Sequence, residues 1–209
     1  MAGFVSGAPS QLSFMGVRLD VFSNVYTPAE DSFLLAKHAR EIQGNVLELG
    51  TGCGIASLVN ASRNPENYVL GVDINPYAVR NSEYNARQNR ITNAGFARSN
   101  LFSHIPKLRF DGILFNPPYL PSNDEFKEEH HLRLALDGGK DGREVIDRFI
   151  SALPSHLLPG GKALMVQSSI NGLSQTICLA QENGLSVEIV EEQPFFFEKL
   201  HLLEFRNSP

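Results

Sequence analysis

Four consecutive residues, Asn116-Pro117-Pro118-Tyr119, carry the most specific chemistry in the chain. An amide or nucleobase amino nitrogen has a delocalised lone pair and attacks an electrophile poorly. The side-chain oxygen of Asn116 can accept one N–H of such a group, and the Pro117 carbonyl can accept the other. Two fixed acceptors orient the nitrogen and stabilise the positive charge that grows as it attacks. The prolines stiffen the backbone behind that carbonyl, and Tyr119 offers a flat face to a planar group. A rigid loop exit would explain the prolines, but not the asparagine before them or the aromatic after them.

A second constellation reads as a nucleotide site. Glu48-Leu49-Gly50-Thr51-Gly52-Cys53-Gly54 follows an apolar run, and Asp73 closes the next apolar run, 19 residues after Gly54. Glycines there let the backbone pass close to a ligand. An acid at the end of the second strand hydrogen-bonds a ribose diol in nucleotide-binding α/β folds. A ligand-free tight turn accounts for the glycines but for neither acid. The spacing Gly50-x-Gly52-x-Gly54 differs from the dinucleotide fingerprint G-x-G-x-x-G and resembles motif I of the class I S-adenosylmethionine methyltransferases. That resemblance implies S-adenosyl-L-methionine as cofactor. Glu48 and Gly50 would then border its methionine part, Gly52 and Gly54 would belong to the same cofactor-binding turn, and Asp73 would bind the ribose hydroxyls. Asn75 would orient the adenosine, and Asn100-Leu101 would contact adenine. Most relatives carry Asp where this chain has Asn100, but an amide oxygen accepts the same hydrogen bond.

The elements that must position these residues alternate. Strands are expected at Val17–Phe22, Val46–Leu49, Tyr68–Asp73, Gly95–Arg98, Phe110–Phe115 and Ala163–Val166. A closing strand pair is expected at Ser186–Glu192 and Phe196–Phe205. Helices are expected from Thr27 to about Arg40, then over Ile55–Arg63, Tyr77–Asn89, Gly142–Leu153 and Gly172–Asn183. Thr27 is placed as N-cap of the first, with Pro28 in the first helical position and Glu30 completing a capping box. Gly160-Gly161 reads as a turn, and the long segment from Tyr119 to Asp141 as a functional loop. The predicted class is α/β: a mostly parallel seven-stranded sheet, one antiparallel strand near the C-terminus, and helices on both faces. The methyltransferase resemblance makes this Rossmann-like. Residues 1–24 read as an N-terminal tail with a short strand, and residues 25–209 as one domain. Phe195-Phe196-Phe197 reads as a buried strand start rather than an exposed contact.

Three further segments narrow the substrate. Val25-Tyr26-Thr27-Pro28-Ala29-Glu30-Asp31-Ser32 precedes the Gly-rich turn, and Asn116–Tyr119 follows it. Ala135-Leu136-Asp137-Gly138-Gly139-Lys140-Asp141-Gly142-Arg143-Glu144 opens the segment that runs on to Phe149. Together they resemble the HemK-type protein-glutamine N5-methyltransferases, closest to the short eukaryotic and archaeal branch, over about Val21 to Leu164. The resemblance implies methylation of the glutamine in the Gly-Gly-Gln motif of a class I release factor. It implies that Ser32, with Tyr26 or Thr27, touches the cofactor, and that Asp137–Gly142 shapes a substrate loop. Bacterial members carry an N-terminal helical domain; 25 residues precede Tyr26 here, so the expectation is a chain without it. The short branch implies a small zinc-binding activator of the Trm type instead. It also brings in lysine, whose non-planar amine suits the Asn-Pro-Pro-Tyr grip less well. By itself that tetrapeptide leaves open a nucleic-acid exocyclic amine (adenine N6, cytosine N4 or guanine N2).

Composition narrows the partners. The chain has 209 residues, 42% hydrophobic and 20% charged, with net charge −5. A protein that held nucleic acid by its phosphates would be more basic, and Arg87, Arg90 and Arg98 read as solvated charges. Cys53 and Cys178 are the only cysteines, too few for a metal cluster and without a disulfide pattern. Neither a transmembrane run nor a signal peptide is visible, so the expectation is a soluble, cytoplasmic protein.

Overall fold

The computed structural model describes residues 10–105, 107–122, 130–195 and 197–208. Strand β3 (Asn45–Leu49) lies inside the sheet, and its four apolar or acidic residues after Asn45 are all buried. It pairs in parallel with β4 (Tyr68–Asp73) on one side and β6 (Phe110–Phe115) on the other. Beyond β4 lies β5 (Ala94–Arg98); beyond β6 lies β7 (Leu157–Ser168). Two long strands finish the sheet, β8 (Leu185–Phe195) and β9 (Glu198–Asn207). The order is β5-β4-β3-β6-β7-β9-β8, with β9 antiparallel to both neighbours. This is the expected mostly parallel seven-stranded sheet with one antiparallel strand.

Alternation along the strands sorts the core into two layers, because successive side chains point to opposite faces. Val46, Leu114, Leu164 and Val166 pack with α1 (Glu30–Ala39) and α2 (Ile55–Arg63). Leu47, Leu49, Ile113, Phe115, Ala163 and Met165 pack against α5 (Glu144–Ala152), whose Phe149 ring lies 4.9 Å from Phe115. Helix α6 (Leu173–Glu182) packs beside α5 and β8. The chain leaves β3 for β4 and later returns to β6 on its other side. The carboxyl ends of β3 and β6 therefore form the switch point where α/β sheets bind ligands.

Several expectations change. Ser10–Phe14, expected in a loose tail, form β1 and pair with β2 (Val17–Val21) in an antiparallel hairpin. That hairpin is docked by α3 (Pro76–Gln88) and its C-cap residue Asn89. Asn81, Asn85 and Asn89 stand four apart and offer their amides to the backbone of β2. The oxygens accept from Phe22, Asp20 and Arg18 N–H at 2.9, 3.0 and 2.9 Å. The amide nitrogens donate back to Asp20, Asp20 and Arg18 carbonyls. Four helical residues rise about 6 Å and two strand residues about 6.7 Å, so asparagines in this register act as a surrogate strand.

Helix α1 begins at Glu30 with Ala29 as N-cap and no side-chain cap bond. Thr27 is not the cap, because the backbone from Tyr26 to Ala29 stays outside helix while it borders the cavity described below. Gly160-Gly161 is a register irregularity inside β7, between the Phe110–Leu157 and Gly112–Lys162 pairings, rather than a separate turn. The loop after Tyr119 contains a short helix α4 (His130–Arg133) and a bridge between Leu120 and Asp137. Phe197 is 106% exposed and Phe195 half-buried; β9 begins after them, at Glu198, so this is not the buried strand start expected. Phe196 lies outside the described residues.

Candidate active site

At the switch point a cavity of about 680 Å³ opens. Glu48, Gly50, Gly52, Asp73, Asn75, Asn100, Leu101, Ser32 and residues 116–119 all line it. Gly54 lies just behind, as N-cap of α2. The Gly-rich turn holds its three glycines at φ 65°, 57° and 90°, left-handed values that residues with a Cβ rarely take.

Two carboxylates brace this turn. Glu48 is 4% exposed and spends Oε2 on three donors: Thr51 Oγ1 at 2.8 Å, the Ser57 N–H at 2.8 Å, and the Ser57 hydroxyl. It thereby caps α2 at its third position, and Oε1 makes no hydrogen bond with a described residue. Burial pushes its carboxyl from 4.5 up to about 7, against those hydrogen bonds and with help from the charge of Asp73. Asp73 accepts the Gly52 N–H at 2.9 Å and the Asn75 N–H at 2.8 Å. Burial raises it too, opposed by its backbone donors. Each of its oxygens keeps acceptor capacity for a hydroxyl. Cys53 is inert, because burial pushes its thiol up to about 12.

The remaining residues expected on the cofactor side divide. The Asn75 side chain is committed within the protein: its oxygen caps α3 at Tyr77 N–H (2.9 Å), and its nitrogen ties down the Asn24 carbonyl (2.8 Å). Asn100 accepts from Arg148 at 3.2 Å. Leu101 sits at φ 50°, an uncommon value for a side chain of its size, held by Ser99 Oγ donating to its carbonyl at 2.7 Å.

Asn116 lies at the carboxyl end of β6. Its Nδ2 donates to Ser32 Oγ at 3.5 Å, and its Oδ1 is buried with no hydrogen-bond partner among the described residues. No described residue donates to the Pro117 carbonyl either. Leaving a buried acceptor unmatched costs about 1–3 kcal/mol, which sets Asn116 Oδ1 apart from the other side-chain oxygens that line the cavity. Tyr119 and Tyr26 line the same cavity. The hydroxyls of both are raised above the ordinary phenol range by burial first and then by Asp31. They stay neutral throughout the physiological range.

Some residues that shape the site escaped the sequence reading. Asn171 donates to the Tyr119 carbonyl at 2.7 Å and to the Gly142 carbonyl at 3.2 Å. Arg143, buried, donates to the Asn171 carbonyl and to Thr176 Oγ1 (3.1 Å), and pairs with Asp147 at 2.6 Å. This frame joins α5, α6 and the Asn-Pro-Pro-Tyr segment. The only signal for it in the sequence was the Asp141-to-Asp147 run. Asp137, in the loop over the cavity, binds Ser122 Oγ at 2.5 Å and the Gly139 N–H at 3.0 Å. Arg87 is exposed and pairs with Glu83, and Arg98 donates to the Ile74 carbonyl. Among the described residues no group of side chains could hold a metal ion, and no helix is long and apolar enough to cross a membrane.

Comparison with known proteins points the same way. The family model of the methyltransferase small domain matches residues 17–134. A Methanocaldococcus jannaschii protein with the provisional name protein N5-glutamine methyltransferase is 43% identical over 189 residues, 90% of this chain and 94% of that protein. Human methyltransferase HEMK2 is 32% identical over 196 residues, 90% of this chain and 92% of its own. Among solved structures, the E. cuniculi Mtq2–Trm112 complex, described as responsible for methylation of the eRF1 translation termination factor, matches with a TM-score of 0.69 at 26% identity. It covers 88% of this chain and 99% of that one.

Proposed function

We propose, for a chain that belongs to the methyltransferase small-domain family and within it to the HemK-type protein-glutamine N5-methyltransferases, that it methylates the side-chain amide of the glutamine in the Gly-Gly-Gln motif of a class I release factor. S-adenosylmethionine is the cofactor; it supplies a methyl group carried on a positively charged sulfur. The observation that carries the reading is the buried, unpartnered Asn116 Oδ1, followed in the chain by Pro117, which lines the same cavity. A primary amide has two N–H groups in one plane, and these two acceptors match them. As the nitrogen turns positive, both hydrogen bonds strengthen, so they stabilise the transition state more than the ground state. Tyr119 stacks on the amide plane, and its neutral hydroxyl takes no proton.

On the cofactor side, the residues present fit the group. Glu48 offers Oε1 to the amino end of the methionine part, while Gly50 and Gly52 leave room for it and Gly54 lets the turn pack on Leu58 and Ser82. Asp73 has acceptor capacity for the ribose hydroxyls. Asn100 and Leu101 border the base. Asn75 supports the site by capping α3 and anchoring Asn24. Ser32 reaches the cofactor side of Asn116.

The test is transfer from labelled S-adenosylmethionine to the cognate release factor, native and with the glutamine replaced. Label on the native factor alone is expected; equal label on both removes the assigned target. The compartment this substrate implies is the cytoplasm.

A Trm-type zinc-binding activator is proposed as partner, paired with the outer edge of β5. That strand, Ala94–Arg98, is free of acids. The opposite edge, β8, carries Glu188, Glu191 and Glu192 and a register shift, features that discourage strand addition. Co-expression should raise the melting temperature and the methylation rate. Full activity of the lone chain with no gain from the partner would remove the proposal.

A further inference from the structure

A side-chain amide is nearly symmetric in shape and opposite in hydrogen bonding at its two ends. If Asn116 were turned over, it would present an NH2 group to the NH2 of the incoming amide, donor against donor. Something in the protein must choose the end that faces the cavity. The Asn-Pro-Pro-Tyr segment contains nothing able to do so.

The group that touches the other end of Asn116 is Ser32 Oγ. A hydroxyl can donate or accept, so alone it would tolerate either orientation. It is not alone. Asp31 Oδ1 lies 3.1 Å from Ser32 Oγ and 2.6 Å from the Ser32 N–H. Asp31 Oδ1 accepts from the Ser32 N–H and so also accepts from the Ser32 hydroxyl, which spends its one proton there. Ser32 Oγ is then left with lone pairs for Asn116, which must turn Nδ2 toward it and Oδ1 toward the cavity. Asp31 is itself buried, and its second oxygen receives the Tyr26 hydroxyl at 3.5 Å.

We infer that Asp31 is a positioning residue that acts through Ser32 to set the polarity of the Asn116 amide. The inference deepens the glutamine reading and rests on Asn116 being the acceptor of the reacting nitrogen. Asp31 lines the cavity but makes no hydrogen bond to Asn116 itself. The competing role is ordinary: an acid in the first turn of α1, favourable to the helix dipole. That role is indifferent to what stands at position 116.

The test is a mutant cycle. Asp31→Asn is not informative, because the Ser32 N–H would hold the new amide oxygen where Oδ1 now stands. Asp31→Ala removes the acceptor, which frees the Ser32 hydroxyl proton and lets Asn116 turn over. With Asn116 present, kcat should fall roughly tenfold or more, while the dissociation constant for S-adenosylmethionine stays within about threefold. An aspartate at position 116 accepts at both ends, so polarity no longer matters, and the wider (N/D)-P-P-(Y/F) motif accommodates it. In the Asn116→Asp background, the same Asp31→Ala change should lower kcat by less than about twofold. Equal losses in both backgrounds would overturn the inference. If Asp31→Ala does not fold, Ser32→Ala carries the same cycle at saturating cofactor, since any effect of Ser32 on cofactor binding is common to both backgrounds; Ser32→Thr keeps the hydroxyl and should retain most of the rate. If the native chain methylates no release factor, the substrate reading has failed, and the polarity is read by NMR from the Asn116 side-chain NH2. Those protons should contact Ser32 in the native chain and lose that contact in Asp31→Ala; an unchanged contact would overturn the inference.

Discussion

Glu48→Gln should make the protein more stable at pH 8 and worse at binding its cofactor. The carboxyl is raised from 4.5 to about 7, chiefly by burial. Proton affinity that is higher in the folded state means that folding favours the protonated form. The benefit is complete below pH 4.5 and is lost as pH rises through 7, where the buried group must ionise. The difference is worth about 3 kcal/mol. Glutamine mimics the protonated form at every pH. It gives up about 1 kcal/mol because a neutral oxygen is a weaker acceptor for Thr51 and Ser57. The variant should therefore be about 2 kcal/mol more stable than the native chain at pH 8, or roughly 4–8 °C for a chain of this size. Below about pH 5 the order should reverse. Its affinity for S-adenosylmethionine should fall about 10–100-fold, the worth of one charge-assisted hydrogen bond. Thermal unfolding of both proteins across pH 4.5–8, with calorimetric titration of the cofactor, measures each quantity. A stability difference that does not change with pH would refute the reasoning, since burial of an ionisable group predicts a slope.

Other outcomes follow from the same site and its supports. Asn116→Ala should lower kcat at least about 100-fold while cofactor affinity holds within about threefold; equilibrium binding and single-turnover methylation separate the two. Asn85→Ala leaves the Asp20 N–H and the Asp20 and Cys53 carbonyls without the partner they now share. It should cost about 2–4 kcal/mol in denaturant unfolding, against less than about 0.5 kcal/mol for the exposed neighbour change Gln88→Ala. Asn171→Ala frees the Tyr119 carbonyl and should lower kcat/KM for the release factor about tenfold, with cofactor affinity unchanged in the same titration.

Sequence by itself determined what is local in the chain. The Gly50–Gly54 turn, Asp73 and Asn116–Tyr119 each sit at the end of an apolar run, where an α/β sheet delivers ligands. Their chemistry is carried by adjacent residues, so spacing alone announces it. The alternation of strands and helices, and the antiparallel strand at the end, follow from periodicity in the same way. Family resemblance added the substrate class that the tetrapeptide leaves open.

Tertiary structure decided which elements face each other, and that has no local trace. Asn81, Asn85 and Asn89 read as poor helix formers until β2, some sixty to seventy residues earlier, is laid beside them. Thr27 has every local mark of an N-cap, yet the segment that borders the cavity stays outside the helix, and propensity yields to that packing. Ser32 meets Asn116 across a separation of 84 residues in the chain. Asn171 reaches Tyr119 across 52. A hydrogen bond between distant residues depends on distances of a few tenths of an ångström. Those distances exist only after the two core layers have packed and brought both ends of the bond to the same cavity.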